Sequence, residues 1–249
     1  MLSFSIVTCT WNSEPHITQC MESVGQQTYR EFEQVFVDAG SGDGTLDRIH
    51  AANWPNQCVT GVRGGISNAM NVGIEMAQGD VIAHLHGDDY YLGADVLAKV
   101  ATEMDRTKAG WLFGRIAIDL AGKVSEPAWK MPEPSMRRLQ RGNFIAHPAV
   151  FVRKDLFRKV GSFDTGLKYA MDYDLWLRLI KISKPAYLED YLAAFRSHAG
   201  SASTANSMAA FKEDHTVRRR HLYPGMTNRL FHEAVFFWRL LRRRATQHG

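Results

Sequence analysis

Short apolar runs, separated by polar stretches rich in turn residues, set the rhythm of the first third of the chain. Ser5–Thr10 (SIVTCT) reads as a buried strand and Phe32–Val37 (FEQVFV) as a second. Between them, apolar positions recur with helical spacing from Ile17 to about Gln27. The second strand runs into Asp38-Ala-Gly-Ser-Gly-Asp-Gly44, a glycine-rich turn, and a helix is expected from Thr45. Cys58–Val62 gives a third short strand. Ser67–Gln78 (SNAMNVGIEMAQ) has helical spacing with Ser67 as its N-cap, and Asp80–Leu85 (DVIAHL) is a fourth strand. Alternation of this kind predicts an α/β protein with a mostly parallel sheet covered by helices. Ligands of such sheets gather at the carboxyl ends of the strands. Thr8, Thr10, Asp38, Asp88 and Asp89 are therefore expected on one rim.

The second half is less regular. Trp111–Ile118 and His147–Val152 read as strands, with a proline-rich loop over 127–134 between them. Lys154–Val160 predicts a short helix stopped by Gly161. Tyr173–Ile182 predicts an apolar helix with Leu175, Trp176, Leu179 and Ile180 facing a core. No internal repeat and no long linker divides the chain. From about Asn228 to Arg244, the apolar positions Leu230, Phe231, Val235, Phe237, Trp238 and Leu241 form a stripe flanked by arginines. That pattern suits a helix lying in an anionic membrane interface, or one packed on the domain or on a partner.

Composition narrows the class. With 249 residues the chain can bury a substantial core, and its hydrophobic content of 45% is ordinary. No apolar run approaches the roughly 18–20 residues of a membrane span. The N-terminal MLSFSIVTCTWN has no signal-peptide pattern. Three cysteines without a CxxC pair argue against a disulfide framework, so a reducing cytoplasm is expected. The net charge of +4 is concentrated late, at Arg218, Arg219, Arg220, Arg239, Arg242, Arg243 and Arg244. No basic-aromatic module accompanies it, so nucleic acid is not an expected partner. TWNSEPH follows the first strand where a dinucleotide site would carry G-x-G-x-x-G, which disfavours a dehydrogenase.

The densest chemistry is HLHGDDYY, residues 84–91. Two readings stand open at that point. His84-x-His86-x-Asp88-Asp89 approaches the ligand spacing of dinuclear zinc hydrolases. An acidic pair at a strand end also suits a hard cation held against a phosphate. A zinc site of that kind needs a further histidine where Asp89 stands.

Five segments in order, SIVTCTWN, VDAGSGDGT, GISNAMNVGIEMAQGDVIAHLHGDD, HPAVFVRKDLFRKVGSFDTGLKYAMDYDLWLRL and FRSHAGSAS, resemble the family 2 glycosyltransferases, over residues 3 to about 204. The resemblance implies the inverting GT-A fold, Rossmann-like, with the C-terminal helical tail appended. It implies a transferase domain over 1–215, with a nucleotide-sugar-binding half over about 1–105 and an acceptor half over about 106–215, and a basic tail over 216–249. The implied activity is transfer of a sugar from a nucleotide-diphosphate donor, expected to be a UDP-sugar, to a saccharide or lipid-linked saccharide hydroxyl in cell-surface polysaccharide or glycolipid synthesis. Mg²⁺ or Mn²⁺ is the implied cofactor, on Asp88 and Asp89. Donor contacts fall on Thr8, Thr10, Asp38, Arg63, Asn68 and Asp88; many relatives carry aspartate at the position of Asn68. Asp172 matches the general base, stabilised as an anion by its helix N-terminus, so that placement and not a raised pKa makes it work. His147 and Trp129 would line the acceptor site, and Arg196, His198 and Ser201 a loop over the diphosphate. The expected location is cytoplasmic, with the tail on the inner face of the membrane. Rivals are the zinc hydrolase and a non-catalytic nucleotide-sugar-binding module.

Overall fold

The computed structural model describes residues 1–127, 131–198, 206–222 and 226–246, leaving aside the side chains of 226–228 and 243–246. Nine strands form one sheet, in which β1 (Phe4–Thr10) lies between β2 (Phe32–Asp38) and β4 (Val81–His84). β3 (Asn56–Val59) lies outside β2, and these four strands are parallel. On the other side β4 meets β8 (Val150–Arg153), which is antiparallel to it and to β6 (Trp111–Leu120). β9 (Ala186–Ser197) continues the sheet parallel to β6, then comes β5 (Tyr90–Tyr91), while β7 (Lys123–Ser125) pairs with β6.

Two cores cover the sheet, one on each face. Period-two alternation sends Val7 and Cys9 of β1 to one core and Phe4 and Ile6 to the other. The first core packs under α3 (Ile66–Met76), α6 (Lys154–Val160) and α7 (Met171–Leu179), around Trp111 and Trp176. Close approach of α3 to β1 needs Gly73, because a Cβ there would stand 2.2 Å from Val7 Cγ1. The second core packs under α1 (Glu14–Gly25) and α4 (Val96–Thr107). Three small helical pieces, α2 (Thr45–His50), α5 (Met136–Leu139) and a 3₁₀ turn over His147–Ala149, fill connections. Helices α8 (Ser207–His221) and α9 (Met226–Thr246) close the chain.

β2 is reached from β1 on one side of the sheet's centre and β4 lies on the other, which opens a crevice at the carboxyl ends of these strands. The expected mostly parallel core is present. Four local expectations shift. The third strand begins two residues earlier, at Asn56. Ser67 is not the cap of α3: Gly65 holds that position at φ +86, and the Ser67 hydroxyl donates to Leu167 O at 2.8 Å. The apolar helix starts at Met171, so Asp172 lies inside its first turn. His147 and Pro148 form the 3₁₀ turn, and the strand expected there begins only at Val150.

Candidate active site

Asp38 ends β2 opposite Thr10, its register partner on β1. Its carboxylate is fully buried and accepts four hydrogen bonds. Thr10 and Ser41 hydroxyls donate to Oδ2 at 2.9 and 2.5 Å, and the Gly40 and Ser41 amides donate to Oδ1 at 2.8 Å each. Burial opposes its ionisation, but the Ser41, Thr10 and Gly40 donors outweigh that and hold its pKa below the ordinary value. The glycine-rich turn therefore exists to bring donors onto this carboxylate, with Gly40 at φ +92. Thr8 is also buried, and its hydroxyl accepts from Gln34 Nε2 at 2.9 Å. Arg63 is exposed beside Gly40, and its carbonyl accepts from Asn68 Nδ2 at 2.7 Å.

The acidic pair splits. β4 hydrogen bonding runs on past the strand, with Gly87 N donating to Cys9 O at 3.2 Å, and delivers the pair to the rim. Asp88 keeps 30% side-chain exposure and lies 3.0 Å from His198 Nε2. Asp89 is buried and accepts the backbone amide of Arg196 at 2.9 Å. Burial and the charge of Asp88 push its carboxyl well above the ordinary range. The two neighbours were expected to share one cation; Asp88 faces the cleft, and Asp89 fastens β9 beside it.

Arg196 does not reach outward. Its guanidinium lies 2.6 Å from His16 Nδ1, donates to Gln19 Oε1, meets Asp119 Oδ2 at 3.4 Å and stacks over Tyr90. It ties β9 to α1 and β6. His16, at the head of α1, also faces the His198 ring at 5.2 Å between centroids. Burial, then Arg196 and His198, lower its pKa, so the neutral ring can accept from Arg196. His16 was not singled out in the sequence, although the turn after the first strand is where an α/β sheet gathers ligands.

His84 and His86 share a face, as a strand requires, and both stand against His147. The His86 and His147 rings stack at 5.1 Å with planes 11° apart, and Phe163 and Trp176 complete the stack. Ring nitrogens point within the ring planes, so stacked imidazoles do not converge on an ion. Burial lowers the pKa of all three histidines, which keeps them neutral. The stack joins the end of β4 to α7.

Asp172 stands there. Burial raises its carboxyl pKa to about 7, against the Tyr173 amide and with help from the charge of Asp214. Tyr173 N donates to it at 2.6 Å, and Asn143 Nδ2 approaches only to 3.5 Å. The expectation of an unshifted carboxylate, stabilised by the helix end, is corrected. Burial, with the charge of Asp214, decides the shift; Glu213 of α8 lies near the same helix end, its carboxylate accepting the amides of Lys168, Tyr169 and Ala170 at 2.5–3.1 Å. Glu213 thus answers the amides at and just before the N-cap of α7, while Asp172 accepts the Tyr173 amide of the first turn. Asp174 points away from Asp172's surroundings, to Arg178 and His221 at 2.8 Å each. Trp129 and Ser201 lie outside the described residues.

Among the described residues, no group of three or more His, Cys, Asp or Glu is arranged to hold an ion alone. Asp88 and His198 offer two ligands at the rim. A buried acid with pKa near neutrality, a partly exposed carboxylate-histidine pair and a crevice at strand ends together suit proton abstraction beside a bound polyanion.

The model of the family described as Glycosyl transferase family 2 matches residues 5–170. A "PGL/p-HBAD biosynthesis glycosyltransferase" of Mycobacterium bovis (strain BCG / Pasteur 1173P2) is 30% identical over 210 residues, covering 81% of this chain and 79% of that protein. Two solved structures share the fold. S. aureus TarS 1-349 in complex with UDP-GlcNAc superposes with a TM-score of 0.73 at 21% identity, over 87% of this chain. The chain spans 65% of that TarS chain. Mannosyltransferase PcManGT from Pyrobaculum calidifontis, in complex with GDP-Man and Mn2+, superposes with a TM-score of 0.70 at 16% identity, over 95% of this chain and 69% of the other.

Proposed function

The chain belongs to glycosyl transferase family 2 and is a glycosyltransferase with the GT-A fold, and from that premise we propose that it moves a sugar from a nucleotide-diphosphate donor to a saccharide hydroxyl with inversion. Asp172 is the general base of this reading. The acceptor hydroxyl gives its proton to the Asp172 carboxylate as its oxygen attacks the anomeric carbon. The bond from that carbon to the diphosphate oxygen breaks, and the nucleoside diphosphate leaves. A pKa near 7 matches a base to neutral pH, because enough of it is ionised and it still takes a proton readily.

Asp88 and His198 are proposed to hold Mg²⁺ or Mn²⁺, which supplies positive charge against the departing diphosphate when bound. Two protein ligands fit such an ion, which fills its remaining positions with phosphate oxygens and water. Asp89 supports them by fixing Arg196 and the strand that ends beside His198. Asp38 serves the donor through its turn. All four of its acceptor positions are taken, so a ribose or base bonds it by displacing the Ser41 hydroxyl. Thr10 follows Asp38, Thr8 acts through Gln34, and Arg63 and Asn68 border the phosphate side. His147 lines the acceptor side. The donor is proposed as a UDP-sugar, in keeping with the UDP-GlcNAc bound by TarS; the GDP-Man bound by PcManGT makes a GDP-sugar the second arm of the screen. Cell-surface glycolipid or polysaccharide synthesis on the cytoplasmic side completes the proposal, alongside a mycobacterial relative named for PGL/p-HBAD biosynthesis.

The observation that carries this reading is the Asp172 carboxyl, raised to about 7 in the first turn of α7, the helix whose Trp176 packs on His147 of the histidine stack. The test is a donor screen reading released nucleoside diphosphate with Mg²⁺ or Mn²⁺, run on the native chain and on Asp172→Asn. Transfer by the native chain and none by the variant, with donor binding retained, is expected. Undiminished transfer by Asp172→Asn would sink the mechanism.

A further inference from the structure

Away from the cleft, the two C-terminal helices carry groups that sugar transfer leaves unused. One side of α9 packs on α8. Phe236 stacks on Phe211 and His215 with centroids 5.2 and 3.8 Å apart, and Glu233 meets His215 and Arg219 at 3.2 Å each. The other side is bare: Leu230, Phe231, Phe237, Trp238 and Leu241 are 56–65% exposed. Steps of three, four and seven residues relate them, so they share one helical face. Arg242 stacks over Trp238 at 4.8 Å, a cation laid along the edge of that face. Among the described residues no helix is long and apolar enough to cross a membrane.

A cavity of about 290 Å³ opens along the flank of this face, lined by Arg141, Phe231, His232, Val235 and Arg239. Phe231 belongs to both. No carboxylate is among the lining residues. Arg239 and Arg218 both donate to the backbone carbonyl of Arg141, at 3.0 and 3.3 Å, which gathers three arginines around one point. Burial, and then the charges of Arg218, His215, Arg141 and Arg239, depress the pKa of His232. Two acids stand near these groups: Glu233 meets His215 and Arg219, and the charge of Asp214 acts on Arg218 and Tyr173. Positive potential beside an exposed apolar face is the combination that a phosphate head group on an acyl chain complements. The same segment leads to the base. Two residues after Arg141, Asn143 approaches Asp172 at 3.5 Å.

We propose that the Arg141–His232–Arg239 cavity binds the phosphate of a membrane lipid while the bare face of α9 lies in the acyl boundary, and that the saccharide acceptor is carried on such a lipid phosphate toward Asp172. The lipid site stands on its own geometry; only the acceptor clause rests on the transferase reading.

Vesicles of phosphatidylcholine alone, and of phosphatidylcholine with phosphatidylglycerol, test it by co-sedimentation of the full chain. Binding to the anionic vesicles is expected to exceed binding to neutral ones at least about tenfold, since each engaged arginine contributes about fivefold. Trp238→Ser with Leu241→Ser, both at exposed positions, should abolish binding without lowering the melting temperature. Arg141→Ala with Arg239→Ala should weaken anionic binding by about twentyfold, and Arg229→Ala with Arg242→Ala, outside the cavity, by clearly less. Equal losses from the two arginine pairs, or equal binding to both vesicles, overturn the phosphate site. So does a dimer in sedimentation velocity that Trp238→Ser with Leu241→Ser dissociates, because the face then belongs to a second copy. Nucleotide binding by the native chain separates the two readings: vesicle binding without any nucleotide binding keeps the lipid site and sinks the transfer to it.

Discussion

Asp38, at the end of β2, and Asp172, in the first turn of α7, are two carboxylates that the protein surrounds in opposite ways. Asp38 is enclosed by four donors, two of them backbone amides of its own turn, and its pKa falls. Asp172, partly buried in the first turn of α7, is met by the Tyr173 amide and, at 3.5 Å, by Asn143, and its pKa rises to about 7. Desolvation acts on both; the number of donors decides the sign. A saturated carboxylate holds a turn in shape. An under-bonded one retains the appetite for a proton that a general base needs. The difference separates a carboxylate held ionised by its own turn from one poised to take a proton.

The largest effect expected from this contrast is on transfer. Asp172→Asn removes the proton acceptor at nearly constant shape, so kcat should fall by about 10²–10⁴. The same change should raise stability. Because the native group binds its proton more tightly than the unfolded one, stability is lost as pH rises from about 4 to 7. Asn carries no such charge. Asp172→Asn should thus have a larger unfolding free energy than the native chain at pH 8, by at most about 4 kcal/mol, and the same unfolding free energy near pH 4. Chemical denaturation at the two pH values measures it. A variant that loses activity and stability together at pH 8 would move Asp172 to the structural class.

A smaller effect is the acid limb of the native enzyme. Asp172 must be ionised to accept a proton, so kcat/KM should drop about tenfold per pH unit below a midpoint near 7. A flat profile between pH 5 and 8 would say that Asp172 does not titrate in the rate-determining step.

How much of this contrast could be read from the chain depends on range. The strand rhythm of SIVTCT and FEQVFV was legible, since period-two patterning and a parallel sheet are local consequences of sequence. So were Asp38 at a turn and Asp172 at a helix start. Their opposite pKa shifts were not. Asp38's four donors come partly from its own glycine-rich turn, which the spacing hints at. Asp172's shift depends on burial and on the charge of Asp214, which lies on another helix far along the chain, and Glu213 of that same helix shares the end of α7 with it. Asp88 and Asp89 looked equivalent because they are adjacent. They lie in a turn closed by Asp89 N donating to His86 O at 3.0 Å, and only β9, drawn in by Arg196 N, makes clear which one is enclosed. The stacking of His84 and His86 with His147 required β4 and the 3₁₀ turn to be neighbours, a pairing that no local pattern announces.

Next in size is the structural side of the comparison. Asp38→Asn keeps the shape but replaces one acceptor oxygen with a donor amide that faces hydroxyls or amides already donating. A buried hydrogen bond to a charged group is worth about 1.5–3 kcal/mol, so unfolding free energy should fall by about that much. The loss should shrink toward low pH. Asp38's contribution is present above its unfolded pKa and is lost as pH falls through its depressed folded value. Equal losses at pH 7 and at pH 3 would show that its charge contributes nothing.

The smallest expected effect tests the link between the two ends of α7. Glu213→Gln leaves hydrogen-bond acceptors for Lys168, Tyr169 and Ala170 but removes the charge that answers the helix dipole. Stability should fall by only about 0.5–1 kcal/mol. The more telling readout is the acid limb. With Glu213 neutral, the positive end of α7 acts on Asp172 unopposed and a nearby negative charge is gone, so the Asp172 pKa should move down. The midpoint of kcat/KM against pH should then shift from about 7 toward lower pH by a few tenths of a unit. A shift to higher pH would mean that Glu213 acts on Asp172 by packing and not by charge, and the account of why this carboxyl is raised would have to rest on burial and Asp214 alone.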